Sequence, residues 1–538
     1  MQYQFNTFLK DTLYRGFQQV LRSDLRLKKL AFRSAVSLLN SEESNSSSYY
    51  FKHAFDLSRE WKYVVTGLAE ESELNRFRAG AADTLSIRSF AFQQYTAYLQ
   101  NPAAWTNKYR LDYTLREDRL PLGNSFRSST IGQTLNFNTE LNINTNSRLS
   151  LGATYRKLEV QQDASGKKPE ESVLARAQYD FSAWKGFLSS NTYYEIGTGQ
   201  EPKREYTYVQ VPAGQGVYIH VDYNGNGIKE LNEFEIAKFA YEADYIRVYV
   251  VSTDFVRTNA TVFSETLNLY PERVWGNRTG LRRLVSRFSN QTALKIDRKI
   301  LNNSNESSFN PFDTRVADTS LITLNSSWRN TFFFKRTDPV FGADYTFQNT
   351  SNKSLLSNGF DTRTREEHTL RTRWNFVRSL GLQVQASRGT KTYASQLLTD
   401  KNFEIAFTGI SPELSWQLNT AFRLSLSYGY TDQRNAPSLG PQKAVNQVLS
   451  SEARYNASGK GSLSARISYI NNSYNDATNT PVAYEMLDGL QAGNNMTWNA
   501  VFQRTVGSNL QLNFVYDGRR SPGVKAIHSG SVQARAFF

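Results

Sequence analysis

Period-two alternation of apolar and polar side chains runs through most of this chain, and it constrains the fold more than any other feature. Leu135, Phe137, Thr139, Leu141 and Ile143 fall on one side of an extended backbone, with Asn136, Asn138 and Asn142 on the other. The pattern returns at Leu149–Tyr155, Val173–Phe181, Phe341–Phe347, Leu380–Ala386, Leu424–Tyr430, Leu463–Tyr469, Met496–Phe502 and Leu510–Tyr516. It closes the chain at Ser531–Phe538, where Val532, Ala534, Ala536 and Phe538 alternate with Ser531, Gln533 and Arg535. Successive side chains of a strand point to opposite faces, so each segment has one apolar and one polar face. Helical spacing fits none of them.

The connections give a second constraint. Reading back from the C-terminus, short turns are expected near 505–508, 457–461, 419–421, 377–380, 335–339, 182–186 and 144–147. Longer connections are expected between them, near 474–495, 432–444, 389–401, 350–366, 301–318 and 161–172. Sorted loops of this kind belong to a transmembrane β-barrel, with short turns on one side of the membrane and long loops on the other. Several strands end in Tyr, Trp or Phe, as an interfacial aromatic girdle requires. About seventeen strands are expected from Leu135 to Phe538, two weaker ones at 85–100 and 108–117, and more before residue 75. Asp24–Leu39 has mixed periodicity and reads as a strand or a short helix. The expected fold is all-β: a large antiparallel transmembrane β-barrel of roughly 20–24 strands, truncated at its N-terminus.

Composition agrees. Apolar residues make up 39% and aromatics 13% of 538 residues, and cysteine is absent. Low hydropathy suits strands whose second face is polar. No segment approaches the roughly 18 consecutive apolar residues of a membrane helix. The net charge of +14 comes without a basic helix or a nucleic-acid motif. Its arginines are expected in the lumen or against anionic lipid head groups, and nucleic acid is not an expected partner. The chain opens directly in strand-like sequence without a signal peptide, which suggests a fragment of a longer exported protein. The expected division is 1–75 as strands of uncertain placement, 76–197 as barrel strands, 198–255 as an extracellular insert, and 256–538 as barrel strands. No separable N-terminal plug is visible, which points away from a TonB-dependent receptor.

The insert holds the one sharp motif. Asp222-Tyr-Asn-Gly-Asn-Gly-Ile-Lys-Glu-Leu-Asn-Glu233 matches the calcium-loop pattern D-x-[DN]-x-[DN]-G-x5-E at every fixed position. Asp222, Asn224 and Asn226 would offer side-chain oxygens, Ile228 its carbonyl, Glu230 a water-mediated contact, and Glu233 both carboxylate oxygens. The other reading is a plain Asn-Gly turn, which leaves Asp222 and Glu233 unexplained. Val217–Val221 reads as a strand, and only Glu233–Phe239 could be helical, so calcium would be structural. His53, His220, His368 and His528 share no spacing motif, and His220 is not expected to ligate. The pairs Glu70-Glu71 and Glu366-Glu367 read as solvated loop residues. No catalytic motif is present, and an enzyme is not expected.

Pro212–Glu235, Arg287–Arg298 and Ile410–Trp416 resemble the C-terminal halves of large, uncharacterised outer-membrane β-barrel proteins of Bacteroidota. The terminal strand also resembles the signal read by the barrel assembly machinery. The resemblance implies an outer-membrane location, contact with lipid and lipopolysaccharide, and surface lipoprotein or periplasmic partners. The expected function is a pore, a secretion or translocation barrel, or a surface-assembly scaffold. The alternatives are a calcium-dependent surface adhesin anchored by a barrel and, more remotely, a soluble secreted β-protein.

Overall fold

The computed structural model describes all residues except 11–13, 44–45, 80–83, 162–168, 303–308, 313–320, 357–358, 458, 508 and 537–538. The chain forms one antiparallel sheet of 26 strands. The first eleven are β1 (Gln2–Lys10), β2 (Tyr14–Leu27), β3 (Leu30–Glu43), β4 (Ser46–Glu60), β5 (Val65–Ala79), β6 (Phe90–Gln100), β7 (Lys108–Leu122), β8 (Ser125–Asn144), β9 (Ser147–Val160), β10 (Glu170–Ala183) and β11 (Leu188–Gln210). Two short strands, β12 (Tyr218–His220) and β13 (Phe234–Ile236), precede β14 (Tyr245–Leu269). Helices α1 (Glu272–Trp275) and α2 (Leu281–Val285) lead into β15 (Phe288–Leu301), β16 (Leu321–Phe334), β17 (Phe341–Leu356), β18 (Gly359–Val377), β19 (Leu380–Ser395), β20 (Phe403–Gln417), β21 (Phe422–Asn435), β22 (Lys443–Ala457) and β23 (Gly461–Tyr474). Helix α3 (Pro481–Met486) precedes β24 (Gly493–Val506), β25 (Leu510–Arg520) and β26 (Ile527–Ala536).

Setting aside β12 and β13, each strand pairs with its sequence neighbours, and β11 pairs directly with β14. The result is a meander of twenty-four long strands. Strands of 14–16 residues exceed the roughly 9–11 needed to cross a bilayer, so the wall stands beyond an apolar core at its ends. Among the described residues β1 and β26 show no pairing with each other.

The alternation becomes two unlike faces. On one, Trp374, Leu382, Leu414 and Leu426 stand opposite one another across four strands. Tyr428, Leu449, Tyr469 and Met496 do the same, as do Leu463, Phe502, Phe514 and Val532. Leu449 is 48% and Tyr469 52% exposed, so this belt has no protein covering. A soluble monomer rarely shows a contiguous apolar surface of that extent. The opposite face is polar: Arg371 pairs with Asp344 at 3.0 Å, Ser450 meets Ser468 at 2.8 Å, and Glu452 accepts from Arg454 and Arg466.

Three expectations change. Asp24–Leu39 is neither one strand nor a helix: β2 and β3 form a hairpin around Lys28 and Lys29. Glu70-Glu71 and Glu366-Glu367 are strand residues, in β5 and β18. Glu70 meets His53 at 2.8 Å and Glu71 meets Lys52 at 2.8 Å. The long connections near 350–366 and 389–401 are mostly ladder, because β17, β18 and β19 run on to Leu356, from Gly359 and to Ser395. Polar alternation such as Thr350–Ser354 looks like loop sequence, although above an apolar belt both faces of a strand are free to be polar. Conversely, the 18 residues between β14 and β15 form a longer connection on the short-turn side.

Candidate functional site: a cap over the mouth of the barrel

Residues 211–244 leave the β11–β14 hairpin at its long-loop end. The backbone turns tightly there: the amides of Gly214 and Gly216 both donate to the Ala243 carbonyl at 2.9 Å. A Cβ on Gly216 would lie 2.6 Å from the Tyr245 nitrogen, so no larger residue fits. Strands β12 and β13 then pair over three residues. An aromatic pile holds them on the hairpin. Tyr208 stacks on Phe234 at 4.1 Å, and Tyr218 and Tyr245 meet the same pair edge-on at 5.0 Å. The Arg247 guanidinium lies over Tyr206 and Tyr218 at 5.3 and 5.8 Å, and such contacts strengthen as water is excluded.

The insert reaches strands far along the sheet. Helix α3 begins at Thr480, whose hydroxyl accepts from the Ala483 amide at 3.1 Å, with Pro481 at the first helical position. Its buried residues Val482, Ala483 and Met486 pack with Leu487 on Phe403, Ile405 and Ala444 of β20 and β22. Those wall residues share parity with Ser411, Ser415 and Ser450, so α3 lies against the polar, concave face. Asn446 and Gln433 each donate to the Met486 carbonyl at 2.7 Å. The insert docks on this platform. Tyr484 donates to the Ile236 carbonyl at 3.1 Å, and Asn479 to that of Tyr223 at 2.7 Å.

Ion pairs complete the closure. Glu485 receives Lys238 of the insert at 2.8 Å and Lys391 of β19 at 3.2 Å. Burial opposes its ionisation, but the two ammonium groups outweigh that and hold the carboxyl below its usual range. Lys401, itself buried, meets Glu235 at 2.7 Å and donates to the Phe234 carbonyl at 2.8 Å. Arg519 of β25 grips Glu242 with two parallel bonds of 2.8 and 2.9 Å. Planar pairing of that kind is the stronger form of a charge-assisted bond. Under the cap a cavity of about 240 Å³ remains, lined by Lys238, Arg363, Arg365, Lys391, Phe403 and Glu485 among others. The insert therefore bridges from β11 and β14 to α3, to Lys401 between β19 and β20, and to β25 across the concave side.

The twelve-residue motif is the tip of this cap. Asp222 accepts from the Gly225 and Gly227 amides at 2.6 and 2.9 Å, and these bonds hold its carboxyl below the usual range. Asn224 accepts from the Asn226 amide at 2.9 Å, and Asn226 from the Ile228 amide at 2.6 Å. Gly225 and Gly227 both have φ +72°, where a side chain would be strained. Glu230 accepts from the Asn224 side-chain amide at 2.8 Å. Glu233 is fully buried and caps the turn, accepting from the Tyr223 and Glu230 amides at 3.2 and 3.3 Å and facing His220 at 2.9 Å. The side chain of Ile228 is exposed. The stretch after Glu233 is the short strand β13, not a helix. Among the described residues no three His, Cys, Asp or Glu side chains are gathered as a metal site. The side-chain oxygens of 222, 224 and 226 turn into one loop, and all are hard donors of the kind calcium takes.

Lys391, Lys401, Glu485 and Arg519 escaped the sequence reading, since each is a lone charge in a strand, a loop or a short helix. Helix α3 was missed as well, although Thr480-Pro481 is a helix-start signal inside the connection at 474–495.

No family model matches the sequence, and no curated protein matches it. Solved structures that align with it include an iron transporter, an import receptor and OmpF. The FrpB iron transporter of Neisseria meningitidis (F5-1 variant, apoprotein form) aligns at TM-score 0.36 and 9% identity, covering 95% of this chain and 81% of that one. The ferric-catecholate import receptor Fiu of E. coli K12 in its open form gives 0.31 and 10%, covering 98% and 80%. OmpF of Salmonella typhi in complex with daunomycin gives 0.28 and 10%, covering 77% and 97%. Superpositions this loose transfer neither function nor detail.

Proposed function

We propose that the protein is an outer-membrane β-barrel that serves as a pore or translocation barrel, with its long-loop mouth closed by the 211–244 cap. The exposed apolar belt supports the membrane setting, because lipid is the solvent that such a surface suits. The observation that carries the gating role is the docking of the cap on α3, on Lys401 between β19 and β20, and on Arg519 of β25. A wall of twenty-four strands encloses more space than side chains fill, so a cap held by polar contacts is the natural barrier to free leakage. Conductance in planar bilayers tests this. The intact protein is expected to conduct little, and a variant with 211–244 replaced by a short turn to conduct steadily. Equal conductance from both would remove the gating role.

A second reading rests on the Asp222–Glu233 loop. Calcium bound there through Asp222, Asn224, Asn226, Ile228, Glu230 and Glu233 would order the cap surface for contact with a partner, making the barrel an anchor for an adhesin. Three carboxylates suggest affinity nearer the extracellular range of about 10⁻⁴–10⁻³ M. Chelation is then expected to speed protease cleavage within 211–244 while heat-modifiable gel mobility persists. Cleavage indifferent to calcium would dispose of the site.

A further inference from the structure

The charges of this chain are sorted along the barrel axis. Among the described residues, the connections at the short-turn end carry thirteen lysines and arginines against two carboxylates. Those at the long-loop end carry five against ten. Most of the net +14 is thus matched by one rim. The two ends also use their charges differently. At the long-loop end Lys238 and Lys401 are taken up by the cap. At the short-turn end, among the described residues, only Lys335 has a carboxylate partner, Asp338 at 3.0 Å.

The α1–α2 connection is the most basic part of that rim. Arg278, Arg282, Arg283 and Arg287 are exposed there. So are Leu281, at 79%, and Leu284 and Val285 beside them. Aromatic rings flank it: Trp275 packs on Phe187, and Trp184 packs on Phe187 in turn. Elsewhere on the same rim Arg59 lies over Trp61 and Arg336 over Phe333. Exposed arginine, exposed leucine and interfacial tryptophan at one level suit a boundary where hydrocarbon gives way to anionic head groups. An acidic protein would explain the arginines but leave the exposed leucines and the aromatic ring unaccounted for.

We propose that the short-turn rim, with α1–α2 at its centre, binds the head groups of anionic phospholipid in the leaflet that this end faces. The inference rests on the membrane reading above. The test uses the full chain in nanodiscs of phosphatidylcholine doped with phosphatidylglycerol, followed by transfer to detergent and measurement of retained lipid. Replacing the four arginines together (R278Q, R282Q, R283Q, R287Q) is expected to lower phosphatidylglycerol retention by about tenfold or more at low salt, because each basic residue beside an anionic surface adds to the attraction. The effect should fade as salt rises. Neutralising Lys229 and Lys525 at the other end should change nothing. Equal retention by the quadruple variant overturns the proposal. So does unchanged retention with altered anion selectivity of conductance, which would place the arginines at the entrance of a passage. Absence of heat-modifiable mobility in the wild type would sink the membrane reading itself.

Discussion

Glu485 holds two lysines that would otherwise repel each other, one on the cap and one on the wall. Replacing it with Ala leaves both cations facing a partly buried gap. Removing one partner of a buried pair costs about 3–5 kcal/mol; partial exposure here lowers the expectation to roughly 2 kcal/mol of cap docking. Hydrogen exchange at Ile236–Lys238 is the measurement, with protection lost there and kept in β19. The acid dependence follows from the direction of the shift. The docked carboxyl ionises below its ordinary value, so its contribution is complete above the unfolded value of about 4.3 and disappears as pH falls through the docked value. Cap protection should therefore hold at pH 5 and fail in stronger acid. Protection lost already near pH 6 would dismiss Glu485 as the group responsible. Turn residue Asp338 behaves alike at the other end: Lys335 and two backbone amides lower it to about 2.

Helix α3 is six residues long, too short to persist alone in water. Packing on Phe403, Ile405 and Ala444 sustains it. Thr480→Ala removes its cap and is expected to cost about 1 kcal/mol, seen as earlier cap release in denaturant with the wall transition unmoved. What could be read from sequence divides along the same line. Strands such as Leu463–Tyr469 announce themselves, because a membrane wall needs apolar residues at every second position. The seventeen strands expected from Leu135 onward are the number of long ones found from β8 to β26. The cap loop could be located by Asp222–Glu233. Its docking could not, because Lys401–Glu235 and Arg519–Glu242 join residues 166 and 277 positions apart. Long-range pairs between single charges leave no periodicity. Strand ends above the belt, as at Thr350–Ser354, lose their signal for a related reason: no apolar solvent imposes one there.

Over the whole molecule the open question posed by the geometry lies at β1 and β26. A sheet edge exposed to hydrocarbon leaves amides and carbonyls without partners, at several kcal/mol each. In a bilayer these two edges must therefore be satisfied, by each other or by further strands. Amide exchange on protein in nanodiscs should show Tyr3–Phe8 and Ser529–Gln533 as protected as β22. Rapid exchange at both edges would count against a continuous wall in lipid.

The cap joins the wall at both of its ends, through adjacent strands β11 and β14. On the proposed gating role it swings aside without diffusing away. Reclosure after each opening is then an intramolecular event at millimolar effective concentration, independent of how many copies the membrane holds. A separate stopper protein would have to be found again by collision, and its supply would set the leak. On that reading the stoichiometry of gate to passage is one, and the closed state re-forms without a partner.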